Sequence, residues 1–373
     1  MTRNVVVCLD GTGNQFGEHN TNVVKLFRVL VRDHAQQLAY YDPGVGTLAD
    51  PALKTPIAKT VNKCLGLAFG RGLTRNVVEA YSYVMDHYQD GDRLFLFGFS
   101  RGAYTARVLA GFLHHCGLLE PGCQHLIPYA LKQYTKAKMC RDDWRIAARF
   151  KKTYGRQLTH NGEPTGAFPV HFLGLWDSVS TLGWVWDPVF LPYTTNNPGV
   201  ATVRHALAID ERRSFFRPLF WGGEHLDRQD VKQVWFAGVH ADIGGGYPEE
   251  ESGLAKISLE WMIREAQHHG LVIDEPSYLR YVVGTTDGFV GPSPTADQHQ
   301  SLAGLWLPVE VLPKTVWDPS RNRKVLKRPR PNLPRFIPRE PKPLIHESVE
   351  TRKTRMQYDP VNLPPNGHYD IEH

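Results

Sequence analysis

The chain has 373 residues, 42% hydrophobic and 22% charged, with a formal net charge of +5, the balance of a globular protein with one large core or two unequal ones. The apolar run at residues 5–9 is too short for a secretory leader and no run is long enough to cross a bilayer, so a cytoplasmic location is expected, with export by a specialised secretion system as the alternative. Five scattered cysteines (Cys8, Cys64, Cys116, Cys123, Cys140) without C-x-x-C spacing argue against a disulfide framework or a structural zinc site.

In chain order, the β-branched run at 4–9 predicts a strand that ends in the turn Asp10-Gly11-Thr12-Gly13-Asn14. A helix over 23–32 follows, then a strand over 37–41 that stops at Asp42-Pro43-Gly44. An amphipathic helix over 72–87 leads into Leu94-Phe95-Leu96-Phe97, whose unbroken apolar character predicts a buried strand. Its continuation, Gly98-Phe99-Ser100-Arg101-Gly102, passes straight into a helix over 103–116 with Val108, Leu109, Phe112 and Leu113 on its inner side. Residues 120–166 are less regular, basic and aromatic, and predict a helical, lid-type insertion lying over the sheet. Two more strands are predicted over 169–176, ending at Asp177, and over 231–239, ending at His240. Strands alternating with helices predict an α/β fold, a mostly parallel central sheet with helices on both faces.

Gly98 and Gly102 bracket Ser100 at a strand-to-helix junction, a nucleophile elbow. Neighbours without side chains let the backbones pack closely there and leave the hydroxyl exposed. Parallel sheets carry ligands at the carboxyl ends of their strands, and Asp10, Ser100, Asp177 and His240 all fall at such ends. A serine nucleophile needs an imidazole to take its proton and a carboxylate to hold that imidazole. The order Ser100, Asp177, His240 is the one α/β-hydrolases use. Taken singly, Asp177 is equally a turn or cap residue and His240 an ordinary loop histidine. An oxyanion hole needs two backbone amides: one expected from Arg101, the other from the first loop at Gly11 and Thr12. The alternative base and acid are His346 and Asp242, a pair that fits the usual hydrolase strand count.

The first loop, the block Gly98-Phe99-Ser100-Arg101-Gly102-Ala103-Tyr104-Thr105-Ala106-Arg107, the segment Gly174-Leu175-Trp176-Asp177 and the block Gly238-Val239-His240-Ala241-Asp242-Ile243-Gly244-Gly245-Gly246-Tyr247 together carry a resemblance. They resemble the uncharacterised α/β-hydrolase domain family that includes the catalytic domain of type VI secretion phospholipase effectors, over about residues 5–267. The resemblance implies an α/β-hydrolase-like fold with Ser100, Asp177 and His240 as the triad. It also implies a carboxylic-ester substrate, with lipid or phospholipid the best-known class, cleaved through an acyl-enzyme on Ser100 with no metal or cofactor. Two other readings compete. One is a catalytically silent hydrolase fold serving as a binding module. The other is an aspartate-nucleophile phosphatase, which needs an aspartate where this chain has Cys8.

A hydrolase domain is expected over 1–315 and a separate C-terminal segment over 316–373. Between residues 321 and 342 that segment alternates basic residues, Arg335 among them, with Pro329, Pro331, Pro334, Pro338 and Pro341, which forbids a helix. It reads as a solvated arm, with peripheral contact to anionic membrane headgroups as the sharper alternative. No recognition fold accompanies it, so no nucleic-acid partner is expected.

Overall fold

The computed structural model describes residues 2–11, 17, 19–44, 69–137, 141–160, 163–164, 168–179, 183–184, 187–188, 191–214, 216–222, 228–303, 307, 310, 314–318, 323–327 and 332–373. Among them, eight parallel strands form one sheet: β1 (Asn4–Leu9), β2 (Gln37–Asp42), β3 (Arg93–Phe99), β4 (Val170–Trp176), β5 (Val200–Ala208), β6 (Asp230–Phe236), β7 (Leu344–His346) and β8 (Asp370–Glu372). Their order across the sheet is β8-β7-β6-β5-β4-β3-β1-β2. The chain leaves β1 toward β2 on one side and returns to β3 on the other, so the order reverses at β1. The crevice for a ligand in such sheets opens outside the carboxyl ends at that switch point.

Both faces of the sheet are covered. Leu94 and Leu96 point into one core with the helices α2 (Phe69–His87) and α3 (Arg101–Cys116). Phe95, Phe97 and Phe99 point into the other with α1 (Asn22–Val29) and, farther along the chain, the helix Gly253–His268. The Leu/Phe alternation thus sorts the two faces, since successive strand side chains point to opposite sides. This is an α/β-hydrolase-like sheet with helices on both faces. α1 begins at Asn22, capped by the Thr21 hydroxyl, and stops at Val29, three residues short of the expected end, because Leu30 is extended and bridges Ile273.

The insertion forms α4 (Ile127–Lys136) and α5 (Arg141–Tyr154). Expected over the sheet, they pack on α3, which covers that face, near its C-terminal end: Ala130 accepts from Cys116 Sγ, and Tyr134 lies against Phe112 and His115. The far end of α3 from Ser100 is about 20 Å away at 1.5 Å per residue, and there His114, His115, Trp144, Lys151 and Tyr193 help line a cavity of about 400 Å³.

Three strands of this sheet were not anticipated. β5 carries Arg204 and His205, which break its apolar run, yet both are buried and satisfied. Arg204 pairs with Glu265 (2.5 Å) and Asp230 (2.6 Å), while His205 Nε2 accepts from the Ser178 amide (3.1 Å). β7 and β8 come from the C-terminal segment expected to stand apart. With α6 (His240–Gly244) and α7 (Gly253–His268) before them and α8 (Glu347–Met356) between them, they extend the sheet beyond β6. Ile337, Ile345, Val349 and Tyr369 share a core there with Leu207, Ile209 and Trp235. Side chains at 311–331 lie outside the described residues, so the stretch 321–342 is described fully only from residue 332.

Candidate active site

Ser100 sits between β3 and α3 with φ +57° and ψ −118°, a conformation that costs a non-glycine residue and is held by the packing around it. Its amide donates to the Trp176 carbonyl of β4 at 3.0 Å. A Cβ on Gly98 would come 2.5 Å from the Gly102 carbonyl oxygen, and one on Gly102 would overlap the carbonyl oxygens of Leu9 and Asp10. Both glycines are therefore needed for the tight crossing of β3, α3 and β1.

Asp177 follows β4 with φ +39° and is wholly buried; His240 opens α6 after β6. The three side chains meet. The Ser100 hydroxyl donates to His240 Nε2 at 2.8 Å, and His240 Nδ1 donates to Asp177 Oδ2 at 2.5 Å. Because an ionised carboxylate only accepts, the Asp177 contact fixes the proton on Nδ1 and leaves Nε2 to accept. The imidazole is packed by the rings of Phe99 and Phe216, each 4.7 Å away, and its own amide donates to Glu211 Oε2 at 3.2 Å.

Burial would raise the Asp177 carboxyl, but the Arg335 guanidinium and the His240 hydrogen bond outweigh it and hold the group well below the usual carboxylate range. Burial pushes the His240 imidazole below its ordinary value against the pull of Asp177, so it is neutral at pH 7 and able to accept a proton. Glu211, buried but bonded to Arg213, is brought down to about 2.

Arg101 is the first residue of α3, directly after Ser100, where a helix start turns its amides outward. Gly11, the expected second donor, is engaged within its own loop. Its amide donates to Asp10 Oδ1 at 2.6 Å, and Asp10 Oδ2 in turn accepts from Thr21 (2.6 Å) and Tyr41 (3.0 Å). Thr12 lies outside the described residues.

A family model described as "T6SS, Phospholipase effector Tle1-like, catalytic domain" matches residues 3–265. The chain belongs to this Tle1-like family. An uncharacterised protein of Saccharomyces cerevisiae is 34% identical over 229 residues, which are 58% of this chain and 32% of that protein. Among solved structures, an uncharacterised Pseudomonas aeruginosa protein is 18% identical with a TM-score of 0.39, over 73% of this chain and 46% of the other. The Tle1 effector bound to the VgrG spike of the type 6 secretion system is 18% identical with a TM-score of 0.35, over 68% of this chain and 52% of the other. The chain thus spans about a third of its yeast relative and about half of each solved structure.

The Tle1-like match covers Ser100, Asp177 and His240 and ends within α7. The alternative pair is not brought together. Asp242 caps α6 by accepting the Val239 amide (3.0 Å) and binds His299 Nδ1 (2.6 Å). His346 caps α8 through Ser348 and stacks on Phe236, its imidazole pushed by burial to about 4. Arg335, read from the sequence as part of a solvated arm, is buried against Asp177. Its proline-rich setting signals exposure, and only the folded chain reveals the carboxylate it meets.

Proposed function

We propose that this Tle1-like domain is a serine hydrolase of carboxylic esters, with lipid or phospholipid as substrate, working through an acyl-enzyme on Ser100. The observation that carries this reading is the hydrogen-bonded line from Ser100 through His240 to buried, ionised Asp177, placed at a strained elbow at the carboxyl edge of a parallel sheet. The phospholipase family supplies the lipid class.

In the first half-reaction Ser100 Oγ bonds to the ester carbonyl carbon as its proton passes to His240 Nε2. The Arg101 amide, next after the serine, is suited to stabilise the negative oxygen that forms. His240 then gives its proton to the departing alcohol as the ester C–O bond breaks. Water, deprotonated by the same imidazole, attacks the acyl-serine; the acyl–Oγ bond breaks, the acid departs, and His240 returns the proton to Ser100 Oγ. Asp177 holds the imidazole in the Nδ1–H tautomer throughout and offsets the charge of the imidazolium. Basic residues of the 321–342 stretch other than Arg335 would hold the domain at an anionic membrane, binding that weakens as salt rises.

The test is release of free fatty acid from mixed phospholipid vesicles and from p-nitrophenyl esters of increasing acyl length, by wild type and Ser100→Ala. Release by wild type alone is expected. A folded wild type that cleaves none of these esters contradicts the reading and favours a binding module.

A further inference from the structure

The Arg335 guanidinium is buried beside the line of Ser100, His240 and Asp177, with both terminal nitrogens engaged. Nη1 donates to Asp177 Oδ1 at 2.5 Å and Nη2 to Asp177 Oδ2 at 2.8 Å, a two-pronged grip that suits the planar fork of arginine and no other side chain. Nη1 also donates to the Ala208 carbonyl (3.1 Å) and Nη2 to that of Phe216, whose ring packs on His240. The backbone is pinned as well: Asn362 Nδ2 donates to the carbonyls of Arg335 and Ile209, both at 3.0 Å. The neighbours alternate, with Arg335 and Ile337 buried and Phe336 76% exposed. Arg335 lies 70 residues beyond the end of the family match at 265.

We propose that Arg335 is a positioning residue for the reaction, clamping the Asp177 carboxylate so that it stays ionised and correctly turned toward His240 through both proton transfers. This rests on the hydrolase reading above. A carboxylate as deeply buried as Asp177 needs a fixed positive partner, and neutral His240 is not one in the resting site. Other groups face the pair. His205 lies behind Asp177, held neutral by burial with its value near 3, and Arg107 lies beyond it. Arg213 and Glu211 flank His240 and offset each other. Among the described residues, only Arg335 bonds both oxygens of Asp177. By sharing that negative charge it weakens the pull of Asp177 on a proton at His240, so the imidazole remains a base to lower pH.

The experiment measures kcat, KM and their pH dependence for ester hydrolysis by Arg335→Lys and Arg335→Met, with fluorophosphonate labelling of Ser100 in parallel and circular dichroism to confirm folding. Arg335→Met is expected to lose about 10²-fold in kcat with KM little changed, as for a misplacement of about 1 Å at the site. Its acidic limb should move to higher pH. Arg335→Lys should keep the limb, because the charge remains, yet still lose turnover, because one ammonium cannot grip both oxygens. Methylguanidinium added to Arg335→Ala should restore part of the rate. Folded variants with wild-type kcat and an unmoved limb overturn the proposal. If Arg335→Met fails to fold, Arg335→Lys decides, and wild-type turnover there overturns the clamp. Wild-type protein that leaves Ser100 unlabelled would instead sink the hydrolase reading itself.

Discussion

Alanine at Gly102 sets two effects of opposite sign against each other. In a helix, Gly→Ala ordinarily stabilises by about 1 kcal/mol, and Gly102 is the second residue of α3. Here the new Cβ would overlap the Leu9 carbonyl oxygen and stand 2.5 Å from that of Asp10 and 2.6 Å from the Asp10 carbonyl carbon. These are backbone atoms at the end of β1, which is paired on both sides, so no side chain can rotate to make room. Relief requires α3 to move by about 1 Å to regain normal contact distances. Such overpacking costs about 1–3 kcal/mol, so near the middle of that range the clash outweighs the helix gain and Gly102→Ala is destabilised by about 1 kcal/mol. The same shift carries Ser100 away from His240, and about 10²-fold in kcat is lost. Urea unfolding monitored by circular dichroism gives the stability and ester hydrolysis the rate, with Gly222→Ala as control, since a Cβ there meets nothing within 4 Å. A Gly102→Ala protein as stable and as active as wild type would refute the reasoning.

The pH dependence has a defined sign. The burial-lowered His240 must be neutral to accept the serine proton, so kcat/KM should stay level through neutrality and fall only as pH drops below 6.5; a midpoint at or above 7 contradicts this. Asp177→Asn should cost about 10⁴-fold in kcat by allowing the wrong tautomer. It also leaves Arg335 buried without a carboxylate, at about 3–5 kcal/mol of stability in urea titration, and a variant of wild-type stability would count against the buried pair. His240→Gln should abolish turnover, whereas His346→Gln should lower only the unfolding midpoint through loss of its cap on α8; the opposite pattern would move the base to His346.

Where the physics is local, the sequence is readable. The elbow at 94–103 announces itself because a buried strand, two close-packing glycines and a helix must follow one another within a few residues. Asp177 and His240 follow from strand ends and chain order, since a parallel sheet places those ends along one edge. What stays hidden depends on partners far along the chain. Arg204 and His205 look wrong for a central strand until Glu265, Asp230 and Ser178 are seen beside them. The three-residue strands β7 and β8 are too short for any periodicity to mark. Arg335 lies among prolines that signal an exposed arm, while its partner Asp177 is 158 positions upstream. Gly11 shows a subtler limit. Its glycine permits the turn, but the neighbouring Asp10 carboxylate takes its amide.

The central claim is that Ser100 is an activated nucleophile. Its most direct test is to treat the purified protein with a serine-directed fluorophosphonate and to read the product by intact mass and peptide mapping, with Ser100→Ala alongside. The account predicts a single adduct, on the peptide holding Ser100, absent from the variant. Folded wild-type protein that takes up no label, or labels elsewhere, would contradict it.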